Sequence, residues 1–163
     1  MVSLMRVGRS AKFAALVASA LALSACASQQ SQTGLEGTQA TPGSPQDFVV
    51  NVGDRVFFTV DSTDLTPEAR GVLDRQAKWL QSYPRYTVTV EGHADERGTR
   101  EYNVALGDRR AIAARNYLIT RGVQSTRLKT ISYGKERPVA VCEEESCFNQ
   151  NRRAVTVLNN GGQ

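Results

Sequence analysis

A chain of 163 residues has room for one domain of ordinary size plus tails, and 40% hydrophobic with 22% charged residues is the balance of a globular protein. The formal charge of +4 invites a nucleic-acid reading, but three of the 20 basic residues, Arg6, Arg9 and Lys12, lie in the first 12 positions. Without them 17 basic side chains face 16 acidic ones, so the body of the chain carries no basic field and nucleic acid is excluded as a partner.

Residues 1–25 begin basic and continue as an Ala/Leu-rich run from Phe13 to Ala25. That run is too short to span a bilayer as a helix and fits a secretory signal peptide. It ends in Leu23-Ser24-Ala25-Cys26, the pattern of a bacterial lipobox, which makes the Cys26 thiol the expected lipid attachment point. Ala27, rather than Asp, follows it and favours the outer membrane over the inner. Several acyl chains on Cys26 exceed what stable anchoring needs.

Residues 26–53 comprise the lipidated cysteine and a Gln/Ser/Thr/Gly/Pro-rich stretch without hydrophobic period, expected as a flexible linker. It would span roughly 30 Å as a coil and about 90 Å fully extended. Residues 47–52 are its one candidate for order, as an edge strand.

A folded domain is expected over residues 54–159, with a tail at 160–163. Residues 54–60 read as the first strand. Thr66-Pro67-Glu68 reads as a helix start with Pro at the first helical position. Ala69, Val72, Leu73, Gln76, Trp79 and Leu80 then form one stripe, which makes Trp79 a core aromatic rather than a stacking platform. Residues 86–90 alternate as a second strand. Thr99 caps a second helix that Gly122 stops. Residues 128–133 and 153–158 read as two more strands, with a turn at 134–138. The order β-α-β-α-β-β predicts an α/β (α+β) sandwich with helices packed on one side of a mixed four-stranded sheet.

Three cysteines are awkward in an exported chain unless one has another use. Lipidation of Cys26 leaves Cys142 and Cys147, expected as a disulfide that pins an acidic loop, Glu143-Glu144-Glu145. A metal site from Cys142, Cys147 and His93 lacks a fourth ligand and the usual spacing, so no metal and no cofactor are expected.

The strand–turn–helix junction of residues 91–110, EGHADERGTREYNVALGDRR, carries the candidate site. Such junctions gather polar side chains and free helix N–H groups in one place. Asp95 supplies an anion. Asn103, Gly107, Arg110 and Ala114 fall on one helix face, offering an amide, a cation and two small residues that leave room beside them. By spacing alone, Asp95 and Arg110 read equally well as a salt bridge tying the turn to its own helix.

The segments VEGHADERGT (90–99), EYNVALGDRRA (101–111), SYGKERP (132–138) and NRRAVTV (151–157) resemble the OmpA-like peptidoglycan-binding family, and within it the peptidoglycan-associated lipoproteins. The resemblance implies that Asp95 and Arg110, fifteen positions apart, grip diaminopimelate of the peptidoglycan stem peptide. Asp95 would accept from the ammonium of its D-centre and Arg110 would fork its carboxylate. Asn103 and Asp61 match further binding positions. Both charged residues are expected at the surface, whereas Arg97, Arg109, Arg152, Arg153 and Glu96 read as solvated or structural charges. The resemblance further implies an outer-membrane lipoprotein with its domain in the periplasm. It would work with TolB and TolA in the Tol–Pal system, which maintains the envelope and constricts the outer membrane at division.

Catalysis has little to build on. His93 and Asp95 lie two apart on one turn, no nucleophile elbow is present, and Asp95–Glu96 are adjacent rather than spaced as a glycosidase needs. The chain is therefore expected to be a binder and not an enzyme. Two other classes stay open: an OmpA-like envelope lipoprotein of secretion or motility with the same ligand, and a wall-acting enzyme such as an amidase.

Overall fold

The computed structural model describes residues 40–159. The signal segment, Cys26, the first part of the expected linker and the tail at 160–163 lie outside the described residues.

Four strands form one sheet: β1 (Arg55–Phe57), β2 (Thr87–His93), β3 (Leu128–Gly134) and β4 (Arg153–Asn159), in the order β1-β4-β2-β3. The last strand in the chain inserts between the first two, antiparallel to both β1 and β2, while β2 and β3 run parallel. The connection from β1 to β2 is α1 (Pro67–Ser82), and from β2 to β3 it is α2 (Arg100–Thr120). The mixed sheet and its helical crossovers give the α+β architecture that the order of elements predicts.

Both helices start where their caps dictate. The Thr66 hydroxyl accepts from Ala69 N at 3.2 Å with Pro67 behind it, and Thr99 accepts from Tyr102 N at 3.2 Å. Gly122, at φ 92°, follows the end of α2 in the left-handed conformation that stops a helix. One face of the sheet is buried under them: Val88, Val90, Val56 and Ala154 meet Leu73, Leu80, Ala111 and Leu118. Phe57 and Ile131, of the alternate set on the opposite face, remain exposed. Gln76, fully buried in α1, is satisfied by donating to Gly53 O at 2.7 Å and accepting from Thr156 Oγ1 at 2.7 Å.

β1 is shorter than the strand expected over 54–60, and two further elements depart from expectation. Residues 47–52 are neither linker nor edge strand. Pro45–Asp47 is a helical turn capped by Ser44, and it runs on as a π-helical turn, Phe48–Val52. The cause is a single residue: the Phe48 ring, 1% exposed, packs 4.9 Å from Trp79, whose Nε1 donates to Asp47 Oδ2 at 2.8 Å. Gly43 O accepts from Tyr86 Oη at 2.9 Å, so this strap belongs to the domain. One aromatic in a polar stretch leaves no periodicity to read.

The second departure is α3 (Glu145–Asn151), where an acidic loop was expected. The Cys142–Cys147 disulfide is present, with its second cysteine inside the first turn of this helix. Seven residues give too few turns for a periodic pattern to emerge.

Candidate functional site

The backbone of β2 ends against α2 with almost nothing between them. A Cβ on Gly92 would lie 1.8 Å from Gly107 O, and one on Gly107 would lie 2.5 Å from Ser132 Oγ. Only glycine permits that approach at either position. The room beside Gly107 is therefore filled by the sheet, not left for a ligand, and Ala114, 1% exposed, is likewise part of the core. The helix face expected to front a ligand is the face that packs on the sheet. Its N-terminal end, at Asn103 and Arg110, reaches a cavity.

That cavity, of about 240 Å³, is walled by three segments. The turn after β1 supplies Val60 and Asp61, the turn after β2 supplies Asp95, Arg97 and Gly98, and α2 supplies Tyr102, Asn103, Leu106 and Arg110. All four residues that the resemblance assigns to a ligand thus line one space. Two carboxylates and two guanidinium groups share it.

Arg110 is not at the surface: it is 0% exposed. Its Nε donates to Ser62 O at 2.9 Å, Nη1 to His93 O at 3.0 Å and Nη2 to Thr59 O at 3.1 Å. One guanidinium thereby fixes the turn that carries Asp61 and the end of β2. A guanidinium has five N–H donors, so two remain beyond these three. Burial lowers its pKa to about 10, with the Asp95 charge opposing that shift, so it stays a cation at neutral pH.

Asp95 is also buried, at 8% exposure. The salt bridge to Arg110 that spacing allows does not form. Instead Asp95 Oδ2 accepts from Arg97 Nη2 at 2.6 Å and from Arg152 Nη1 at 3.0 Å. Burial by itself would raise the carboxyl pKa, but the hydrogen bonds from Arg97 and Arg152 outweigh it and hold the group below the ordinary carboxylate value. Arg97 and Arg152, read as solvated or structural charges, therefore set the state of the central anion.

Asn103, 0% exposed, donates from Nδ2 to Arg97 O at 2.8 Å, while its Oδ1 has no partner among the described residues. Asp61 takes φ 52°, the left-handed region that a non-glycine residue rarely occupies, and its Oδ1 accepts from the Tyr102 hydroxyl. Tyr102 is a wall residue that the sequence reading passed over. Its one signal is position, an aromatic on the first turn of α2, 43% exposed and outside the core stripe.

His93 contributes only its backbone carbonyl. Its ring is 2% exposed and lies 3.7 Å from Glu91 and 5.6 Å from the Tyr133 ring, outside the cavity wall. Burial first, and then the charges of Arg153, Arg137 and Arg55, lower its pKa to about 4. Among the described residues no group of three His, Cys, Asp or Glu side chains is placed to hold a metal ion.

Comparison with known proteins adds to this geometry. Residues 57–152 match the OmpA family. The peptidoglycan-associated lipoprotein of Rhizobium meliloti (strain 1021) is 61% identical over 148 residues, covering 87% of this chain and 84% of that one. The crystal structure of the peptidoglycan-associated lipoprotein from Burkholderia pseudomallei gives a TM-score of 0.67 at 36% identity, over 71% of this chain and 100% of that one. The C-terminal domain of Helicobacter pylori MotB gives 0.61 at 25% identity, over 65% and 84%.

Proposed function

The chain belongs to the OmpA family and, within it, to the peptidoglycan-associated lipoproteins, and on that premise we propose that it holds peptidoglycan non-covalently through diaminopimelate of the stem peptide. The observation that carries this reading is the shared cavity. Fixed anions and fixed cations face one small space, which suits an amino-acid head bearing an ammonium and a carboxylate on one carbon.

The roles follow from charge. Asp95, ionised at neutral pH, accepts from the ligand ammonium, and Asn103 Oδ1 supplies a further acceptor. Arg110 directs its two remaining N–H groups to the ligand carboxylate. Asp61 adds a polar contact from the turn after β1. Affinity for one stem peptide need only be moderate, because the wall is a polymer and many anchored copies act on it together.

Cys26 carries the lipid that ties this domain to the outer membrane, with the domain in the periplasm. Among the described residues no helix is long and apolar enough to cross a membrane. The strap end of the domain, at Tyr86 just before β2, and the cavity, just beyond its end at His93, are separated by the length of that strand, roughly 20 Å. A lipid on Cys26 and a ligand in the cavity would together make this chain a bridge between membrane and wall. Bridging of this kind, with TolB and TolA as partners in the Tol–Pal system, would keep the outer membrane attached to the wall as it constricts at division.

The test is a pull-down of the full-length protein, in detergent, on isolated sacculi, with Asp95→Ala alongside and free diaminopimelate as competitor. Binding that both the variant and the competitor remove is the expected result. A wild-type chain that leaves the sacculi unbound would sink the reading.

A further inference from the structure

The carboxylate of Asp95 is held by two guanidinium groups, and both of these are held by α3. Arg152, which directly follows α3 and is 2% exposed, donates from Nη1 to Asp95 and from Nη2 to Glu145 Oε1 and Asn149 Oδ1. Its Nε donates to Phe58 O at 3.2 Å, which locks the side chain in place. Arg97 pairs with Glu145 at 3.8 Å and lies over the Phe148 ring, 4.5 Å from its centroid. Glu145, Phe148 and Asn149 thus form a bracket behind the anion of the cavity.

The helix that carries the bracket cannot stand by itself. Seven residues are far below the length at which a helix is stable in water, and no side chain caps its N-terminus. Two covalent or buried features fix it instead. The Cys142–Cys147 cross-link ties its first turn to the preceding loop. Asn151, at its last position and 1% exposed, accepts from Val139 N and Ala140 N and donates to Ala140 O, holding the same loop from the other end.

We propose that Arg152 is a positioning residue for the ligand-binding carboxylate of Asp95, and that the Cys142–Cys147 disulfide holds α3 so that Arg152 and Arg97 keep that carboxylate in place. The inference rests on the ligand role given to Asp95 above. The charged groups that bear on Asp95 are Arg97 on its own turn, Arg152 at the end of α3, Glu145 within α3, and Arg110 on α2, which Asp61 faces in turn. Removing Arg152 takes away one of the interactions that lower the Asp95 pKa and leaves the burial that raises it.

The experiment titrates Asp95 by carbon-detected NMR in the ligand-free, full-length protein in detergent, and measures sacculus binding across the same pH range. In the wild type Asp95 titrates below 3.8. Arg152→Gln raises the midpoint above the wild-type value, shifts the acid limb of binding upward with it, and weakens binding about tenfold at neutral pH. Arg152→Lys keeps the charge and returns the midpoint towards the wild type. The double variant Cys142→Ser/Cys147→Ser shifts it in the same direction as Arg152→Gln by a smaller amount.

A folded Arg152→Gln protein whose Asp95 midpoint stays at the wild-type value overturns the positioning role, even if binding falls. If that variant does not fold, the serine pair carries the test, and an unmoved midpoint there overturns the proposal. The titration needs no ligand. A chain that shows the shift but binds no sacculi therefore refutes the peptidoglycan reading and supports the placement of Asp95 by Arg152.

Discussion

At the start of β2 the molecule is held by aromatic rings, and at its end by buried guanidinium groups. Trp79 gathers Phe48, Tyr83 and Tyr86 at centroid distances of 4.9, 4.6 and 5.2 Å, around the strap. Beyond His93, Arg110 and Arg152 bind carbonyls and carboxylates drawn from every neighbouring turn. The hydrophobic burial of these rings is non-directional and hides apolar area wherever the rings can meet. Guanidinium pairing is directional, so it fixes the positions of its partners as well as stabilising them. The strap pole therefore contributes stability alone, while at the cavity pole the recognition proposed above would use the same atoms that stabilise the fold.

Arg110→Ala tests the sharing most severely. It leaves three carbonyls without their donor and is expected to cost about 3–5 kcal/mol in urea denaturation, with sacculus binding lost as well. A variant of wild-type stability that fails only in binding would mean the carbonyl contacts hold nothing together. Phe48→Ala tests the opposite pole. It should cost about 3 kcal/mol, the low end for a buried Phe because the strap can peel away, and leave sacculus binding unchanged. Weaker binding in that variant would show that the two poles are coupled.

His93 gives the comparison a pH axis. Its folded pKa of about 4 lies below the 6.5 of the exposed group, so the unfolded chain binds the extra proton between those values. Stability from the neutral ring is fully present above pH 6.5 and is lost as pH falls towards 4. The loss should amount to about 2–3 kcal/mol, and His93→Gln should flatten the profile across that window in denaturant titrations at successive pH values. Asp95→Asn is the mildest for stability, about 1 kcal/mol, since it keeps an acceptor for Arg152. It should nevertheless abolish sacculus retention. Because the Asp95 carboxyl is held below 3.8, its stabilisation is present above that value and disappears as pH falls through its folded pKa. The asparagine variant should lack that acid-side decline.

Much of this was legible in the sequence where a local rule applies. Thr66-Pro67 and Thr99 start their helices because capping needs only neighbours in the chain. The strands read at 86–90, from alternation, and at 128–133 and 153–158 are found at 87–93, 128–134 and 153–159, and the cysteine count pointed to the pairing of Cys142 with Cys147. Asp61, Asp95, Asn103 and Arg110 were singled out by a motif, and they do meet in one cavity. The burial of Asp95, Asn103 and Arg110 was not legible, because a polar side chain in a local motif gives no sign of which distant groups will surround it. Nor were the strap and α3: distant Trp79 fixes the first, and the preceding loop, through Val139 and Ala140 on Asn151 and through the disulfide, fixes the second.

What the sequence determined by itself is the set of elements and the residue types gathered near the turn after β2, since both follow from contacts within a few positions of the chain. Only the tertiary structure decided which charges face each other. Asp95 lies fifteen positions before Arg110 yet pairs with Arg152, 57 residues away, because β4 enters the sheet between β1 and β2 and brings the end of α3 to the cavity. Coulomb and hydrogen-bond energies depend on separations of a few ångströms in space, and a chain order cannot supply those until the sheet is assembled.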